Sequence, residues 1–132
     1  MPLQPVDCFH FCDNRADADE CARLVVAGIK RATAASVAEL ALAGQRQPEP
    51  GDLSVVTNWN GEALAIICTE TVTLCRFDDV DADFARLEGE GDGSLAWWRA
   101  AHTAYYQRVL AGHGVAVDGD LMIACETFRC VF

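Results

Sequence analysis

Apolar positions along this chain switch between two periods, and the switches mark its elements. Cys21, Leu24, Val25 and Ile29 recur at the spacing of one buried helix face, and Asp17 followed by Glu20 has the spacing of a capping box. A first helix over 17–27 is predicted, closed by Gly28, because glycine tolerates the left-handed backbone that ends helices. Ser36 and Glu39 bracket a second box, S-V-A-E, with Val37, Leu40 and Ala41 as its apolar face. That helix stops near Gly44, before the polar, proline-bearing loop 45–51. Residues 30–35 are then a connection between helices or a short strand.

The remaining pattern is mostly extended. Residues 9–11 read as a first strand or lead-in, 53–58 as a strand, and Asn60-Gly61 as a hairpin turn. The run 63–77 is a long strand or two strands with a bulge, and its β-branched residues suit packing on both faces. Asp78 and Asp79 open a short helix through Val80, Phe84 and Leu87. Ser94 caps the longest helix, 95–110, in which Leu95, Trp98, His102, Tyr105 and Val109 share one stripe. Its aromatic residues are first of all core, with one edge free to wall a pocket. Residues 112–119 form a loop and 121–132 a terminal strand that closes the sheet. The sum is four helices and five or six strands, too short and too hairpin-linked for a doubly wound sheet. An α+β fold is expected: a small mixed or antiparallel β-barrel flanked by helices, in one domain over 1–132.

Composition narrows the partners. With 132 residues, 52% of them hydrophobic, the chain buries a substantial core, yet no apolar run is long enough to cross a bilayer. The start M-P-L-Q-P-V-D lacks the basic and apolar segments of a signal peptide, so a soluble cytoplasmic protein is expected. A net charge of -10 without a basic stripe disfavours long RNA, because backbone binding rests on neutralising phosphates. A small neutral or cationic ligand suits that charge better, although a local basic pocket around Lys30 and Arg31 stays open. Seven cysteines with no C-x-x-C pair read as reduced, buried thiols. With His10, His102 and His113 scattered, no metal and no cofactor are expected.

Two stretches carry candidate chemistry. In G-I-K-R-A-T-A-A-S, the amine of Lys30 precedes the hydroxyl of Thr33 by three residues. A deprotonated lysine is a base, and a threonine that loses its proton is a nucleophile. The bland alternative is a solvated lysine followed by ordinary helix-start punctuation. Residues at this spacing share a face only on a helix or bend, so a joint site requires a junction there. Backbone N–H groups at the start of the Ser36 helix are suited to hold an oxyanion. In E-G-E-G-D-G-S the glycines make a solvated turn, a calcium loop lacking the D-x-D-x-D-G pattern, or a backbone that presents a carboxylate to a pocket. Glu88 is the candidate carboxylate, with Glu90 as the alternative.

Taken together, F-C-D-N, G-I-K-R-A-T-A-A-S, P-G-D-L-S-V-V, E-G-E-G-D-G-S-L-A-W-W-R-A-A-H and C-E-T-F-R-C-V-F resemble the ASCH domain family of the PUA-like superfamily, over nearly the whole chain. The resemblance implies a small barrel flanked by helices and an RNA-related role. One similar bacterial branch is an amidohydrolase of N(4)-acetylcytidine whose Lys-x-x-Thr motif and glutamate resemble Lys30, Thr33 and Glu88; other members are ribonucleases. Arg31, Ser36, Trp98, Arg99 and His102 are the candidate substrate-binding residues around that trio. Lys30 serves as base if burial lowers its pKa; if it touches Glu88, the glutamate becomes the base and Lys30 an electrostatic clamp. Two rivals remain: an RNA-binding or ribonuclease module, and a non-catalytic nucleoside sensor in which Lys30 and Glu88 form a structural ion pair. An exposed edge strand or the 45–51 loop would support a homodimer.

Overall fold

The computed structural model describes residues 7–132. In chain order the elements are β1 (Asp7–Phe9), α1 (Arg15–Val26), β2 (Ala32–Ser36), α2 (Val37–Leu42), β3 (Leu53–Thr57), β4 (Ala63–Arg76), α3 (Ala82–Glu88), α4 (Leu95–Val109) and β5 (Met122–Cys130), with a single 3-10 turn at Phe77–Asp79. The five strands form one sheet in the order β1-β3-β4-β5-β2. β1 runs parallel to β3, and every other pairing is antiparallel. The sheet curls into a half-barrel with the helices on its flanks, the α+β architecture expected from the sequence. Among the described residues no helix is long and apolar enough to cross a membrane.

The curl has an identifiable cause in β4. Residues 63–68 pair with β3 and residues 67–76 with β5, and a bulge between Thr69 and Thr71 shifts the register of the β5 pairing. An extra residue bends a strand and raises its twist, which lets one chain segment serve both walls. The expectation that this run packs on both faces needs correction. Ala65, Ile67 and Thr69 alternate into the interior, whereas beyond the bulge Cys75 packs on the core and Leu74 is 46% exposed.

Helix starts follow local hydrogen-bond competition. The first capping box was misplaced: α1 begins at Arg15, and the Asn14 side chain accepts from the Asp17 backbone N–H at 2.9 Å. Asparagine is among the strongest N-caps, and here it recruits Asp17 into the first turn. Glu20 is thereby free to pair with Arg23 at 2.6 Å on the surface. The second box is present as read, with Ser36 and Glu39 reciprocally bonded at the start of α2. α3 starts later than Asp78, at an Asp81 cap, because the 3-10 turn intervenes.

Two apolar clusters share the interior. One gathers Phe77, Val80, Trp98, Tyr106, Leu110 and Ile123 between α4 and the sheet. The other packs Phe11, Cys21, Val25, Val56, Ile67 and Phe128 beneath α1. In α4 the fully buried residues are Trp98 and Tyr106, and Leu95, Tyr105 and Val109 pack against the same cluster, so the predicted stripe is present with Tyr106 added to it. All seven cysteines are free, but only Cys21 and Cys125 are buried, and Cys8 and Cys130 are exposed, one on the edge strand β1 and one at the end of β5.

Candidate active site

Lys30 lies where the two clusters meet, and the backbone around it explains why. The Arg31 N–H donates to the Leu87 carbonyl at 2.7 Å, and the Lys30 N–H donates to Leu24 at 3.1 Å, tying the segment before β2 to the ends of α3 and α1. Gly89 then ends α3 in the left-handed conformation, φ 69°, against Ile29. A Cβ there would lie 2.9 Å from the Ile29 carbonyl oxygen, so only glycine permits this approach. Glu88 is thereby delivered next to Lys30.

The result is a dry cluster of charges. The Lys30 ammonium is 2% exposed and donates to the Ala32 carbonyl at 2.8 Å, to Glu88 Oε1 at 2.9 Å and to Glu90 Oε2 at 2.9 Å. An ammonium has three hydrogens, so every one has an acceptor. Its Nζ also sits 5.1 Å from the centre of the Phe11 ring, within cation–π range. Both glutamates of the acidic loop therefore reach the lysine. Glu88 is fully buried, whereas the Glu90 side chain keeps 17% of its surface.

Glu88 is held from its other side as well. Its Oε2 accepts from the indole N–H of Trp98 and lies 3.2 Å from His102 Nε2. His102 Nδ1 faces the Trp98 carbonyl at 2.9 Å, and its ring stacks on the Trp98 indole with centroids 4.0 Å apart. A carbonyl and a carboxylate only accept, so these two contacts favour the doubly protonated ring of His102. Burial pushes the Glu88 carboxyl up, but Lys30 and then His102 outweigh it and bring it down to about 2. Burial opposes the Lys30 and His102 charges too, yet the carboxylates hold both groups above their ordinary values. Lys30 is thus a fixed cation and not a free base.

This cluster opens on a cavity of about 1000 Å³. Lys30, Thr33, Glu88, Glu90 and His102 all line it. Thr33 and Glu126 are directly paired across β2 and β5 and so share a face on its floor. One wall comes from the α4 stripe Trp97, Ala101, Tyr105 and Arg108. Other proposed residues lie elsewhere. Arg31 is exposed and does not line this cavity, with its guanidinium on the Gly28 carbonyl, and Arg99 turns outward to the Asp78 carbonyl. Trp98 is core and does not line the cavity; its indole N–H supports Glu88 instead. Ser36 is fully buried and spent on the cap, where its N–H donates to Glu39 and its Oγ accepts from the Glu39 N–H. With those groups satisfied, the start of the short helix α2 is not an oxyanion site.

Three lining residues were missed by sequence reasoning. Trp97 was overlooked beside its core neighbour Trp98. Glu39 was read as a cap, which it is, but its carboxylate also accepts from Tyr105 Oη at 3.3 Å and faces the cavity. Glu126 accepts from Thr69 Oγ1 at 2.6 Å, and burial raises its pKa. A lone acid inside the apolar strand M-I-A-C-E-T-F was the available signal, since such a group needs a partner.

Two predictions arise from this geometry. Gly91 has φ 59°, and an added Cβ would lie 2.2 Å from the Trp97 ring. Gly91→Ala is therefore expected to destabilise by roughly 1–3 kcal/mol and to displace Glu90, read as a lowered melting temperature. The second concerns pH. A raised histidine pKa contributes stability that is complete below the ordinary value of 6.5 and is lost as pH rises through the folded value. The depressed Glu88 contributes above its ordinary 4.5 and is lost as pH falls toward about 2. Melting temperature should thus decline above pH 6.5, and His102→Gln should flatten that alkaline limb.

Comparison with known proteins places the chain. The model of the ASCH domain family matches residues 7–132. A crystal structure of an ASCH domain from Lactobacillus crispatus JV V101 superposes with a TM-score of 0.90 at 36% identity, over 96% of this chain and 79% of that one. A protein from Enterococcus faecalis V583 gives a TM-score of 0.89 at 25% identity, over 99% and 79% of the two chains. A search of curated proteins gives no match. With a family model spanning every described residue and the same fold in a crystal structure at 36% identity, this chain belongs to the ASCH domain family.

Proposed function

We propose that the cavity hydrolyses an N-acyl amide on a small nucleoside-like substrate, with N(4)-acetylcytidine as the first candidate. The observation that carries this reading is the desolvated Lys30, shared between Glu88 and Glu90, on the same cavity as the Thr33 hydroxyl. Buried charge of this kind is costly, and it clusters where chemistry needs a fixed field. Thr33 Oγ attacks the acyl carbon, and its proton passes to a carboxylate and then to the departing amine. Water next releases the acid from the threonine ester and restores the hydroxyl. Lys30 is the electrostatic clamp. Glu88, pinned by three donors and brought down to about 2, is a poor proton acceptor and serves to position Lys30 and His102. Glu90, the less buried carboxylate on the same ammonium, takes the proton in this scheme.

A cavity of about 1000 Å³ accommodates a nucleoside. Its lining also carries Asp7, Asp17 and Glu20, beside the pairs Arg46–Asp52 and Arg108–Asp13, an acidic excess that favours a neutral ligand over RNA. Incubation with a panel of acylated nucleosides and a short RNA, followed by mass spectrometry, tests the reading. Released acid with intact RNA supports it; cleaved RNA, or no release from any acylated nucleoside, overturns it. The saturation of all three Lys30 hydrogens favours one second reading, a non-catalytic nucleoside sensor. There a bound acyl nucleoside would be recovered unchanged.

A further inference from the structure

We infer that Cys12, Cys21 and Glu90 form a binding site for a thiophilic divalent cation of the zinc type, with its fourth position facing the cavity. The residues come from three separate places: the loop before α1, the buried face of α1, and the acidic glycine loop. Cys12 Sγ lies 3.7 Å from Cys21 Sγ, and Cys21 Sγ lies 3.3 Å from Glu90 Oε1. All three donor atoms fall within 4.8 Å of one another. Zinc–sulfur bonds of about 2.3 Å at a tetrahedral angle put two thiolates about 3.8 Å apart, and a sulfur and a carboxylate oxygen about 3.5 Å apart. Both separations match those values to within a few tenths of an ångström. A torsion of the partly exposed Cys12 side chain would bring its Sγ closer to Glu90 Oε1.

Close thiols alone do not make such a site. Cys75 and Cys125 lie 3.5 Å apart, yet among the described residues only the Cys12 group gathers three potential ligands. Cys12 is also the one described residue other than glycine with a left-handed backbone, φ 64°, which turns its thiol toward Cys21. Three protein ligands with an open fourth position is the arrangement of metal sites that bind a further molecule.

Lys30 and the proposed ion use different oxygens of Glu90. Glu90 meets Cys21 through Oε1 and Lys30 through Oε2, so one carboxylate spans the ammonium and the ion. Binding a divalent cation releases two thiol protons, so the net charge of the cluster is unchanged. The inference goes beyond the hydrolytic reading and does not depend on it. Because Glu90 is shared, a loaded ion would engage the carboxylate that takes the proton in that scheme.

Titrating the reduced full chain with Co²⁺, then displacing it with Zn²⁺, tests the assignment directly. One Co²⁺ per chain with thiolate charge-transfer and tetrahedral ligand-field bands is expected. Cys12→Ser and Glu90→Gln should each weaken binding by at least the roughly 10–100-fold that even outer-shell changes cost. Cys75→Ser should leave the bands unchanged. Both ligand variants alter partly exposed side chains, and far-ultraviolet circular dichroism checks that they fold. Absence of thiolate–cobalt bands in the parent, bands that survive Cys12→Ser, or bands lost in Cys75→Ser would each overturn the site. Hydrolysis assays do not enter this outcome, so the two readings fail separately.

Discussion

Lys30→Met is expected to lower stability by about 3–5 kcal/mol, the cost of breaking a buried ion pair by removing one partner. Methionine fills much of the space, so the loss reports charge and not volume. Without the ammonium, the fully buried Glu88 keeps only His102 as a cationic partner, and Glu90 loses its Lys30 contact. For a domain of this size the melting temperature should fall by roughly 10–20 °C. The double variant Lys30→Met/Glu88→Gln should recover part of that loss, since a neutral amide no longer needs a counter-charge. A drop below about 1 kcal/mol in the single variant would mean that the cluster is solvated, as surface pairs are.

On the hydrolytic reading, Thr33→Val is expected to cut kcat by about 10²–10⁴ with an unchanged melting temperature, while Thr33→Ser retains measurable turnover. Valine is nearly isosteric, and no described side chain hydrogen bond uses the Thr33 hydroxyl, so the fold has little stake in it. Glu90→Gln should show a loss of the same order in kcat with KM little changed. Glu88→Gln should instead lose stability first, because that carboxylate holds Lys30, Trp98 and His102 together. A folded Glu90→Gln enzyme that turns over at the parent rate removes the assigned proton path. Activity in folded Thr33→Val equal to that of the parent removes the covalent step.

Much of the fold was legible because its signals are local. The Ser36–Glu39 box, the Ser94 cap of α4 and the Asn60-Gly61 turn each rest on hydrogen bonds within a few residues, so their spacing in the chain is their spacing in space. The displaced start of α1 shows the limit of that locality. Asn14 and Asp17 were both competent caps, and the geometry of the preceding loop chose the first. The α4 stripe was legible for the same local reason, and only the added burial of Tyr106 depends on what the sheet and the 3-10 turn place beside it.

Sequence alone determined the α+β class, the resemblance to one family, and an amine, a hydroxyl and an acid worth bringing together. Only the tertiary structure decided that Glu88 and Glu90 both hold Lys30, that His102 sits against Glu88, and that Arg31 and Arg99 stay out of the cavity lining. It also brought Cys12, Cys21 and Glu90 within 4.8 Å. The reason is physical: protonation and metal affinity depend on desolvation and on neighbours some 60 residues distant, as Lys30 and Glu90 are, and no periodicity along a chain records either.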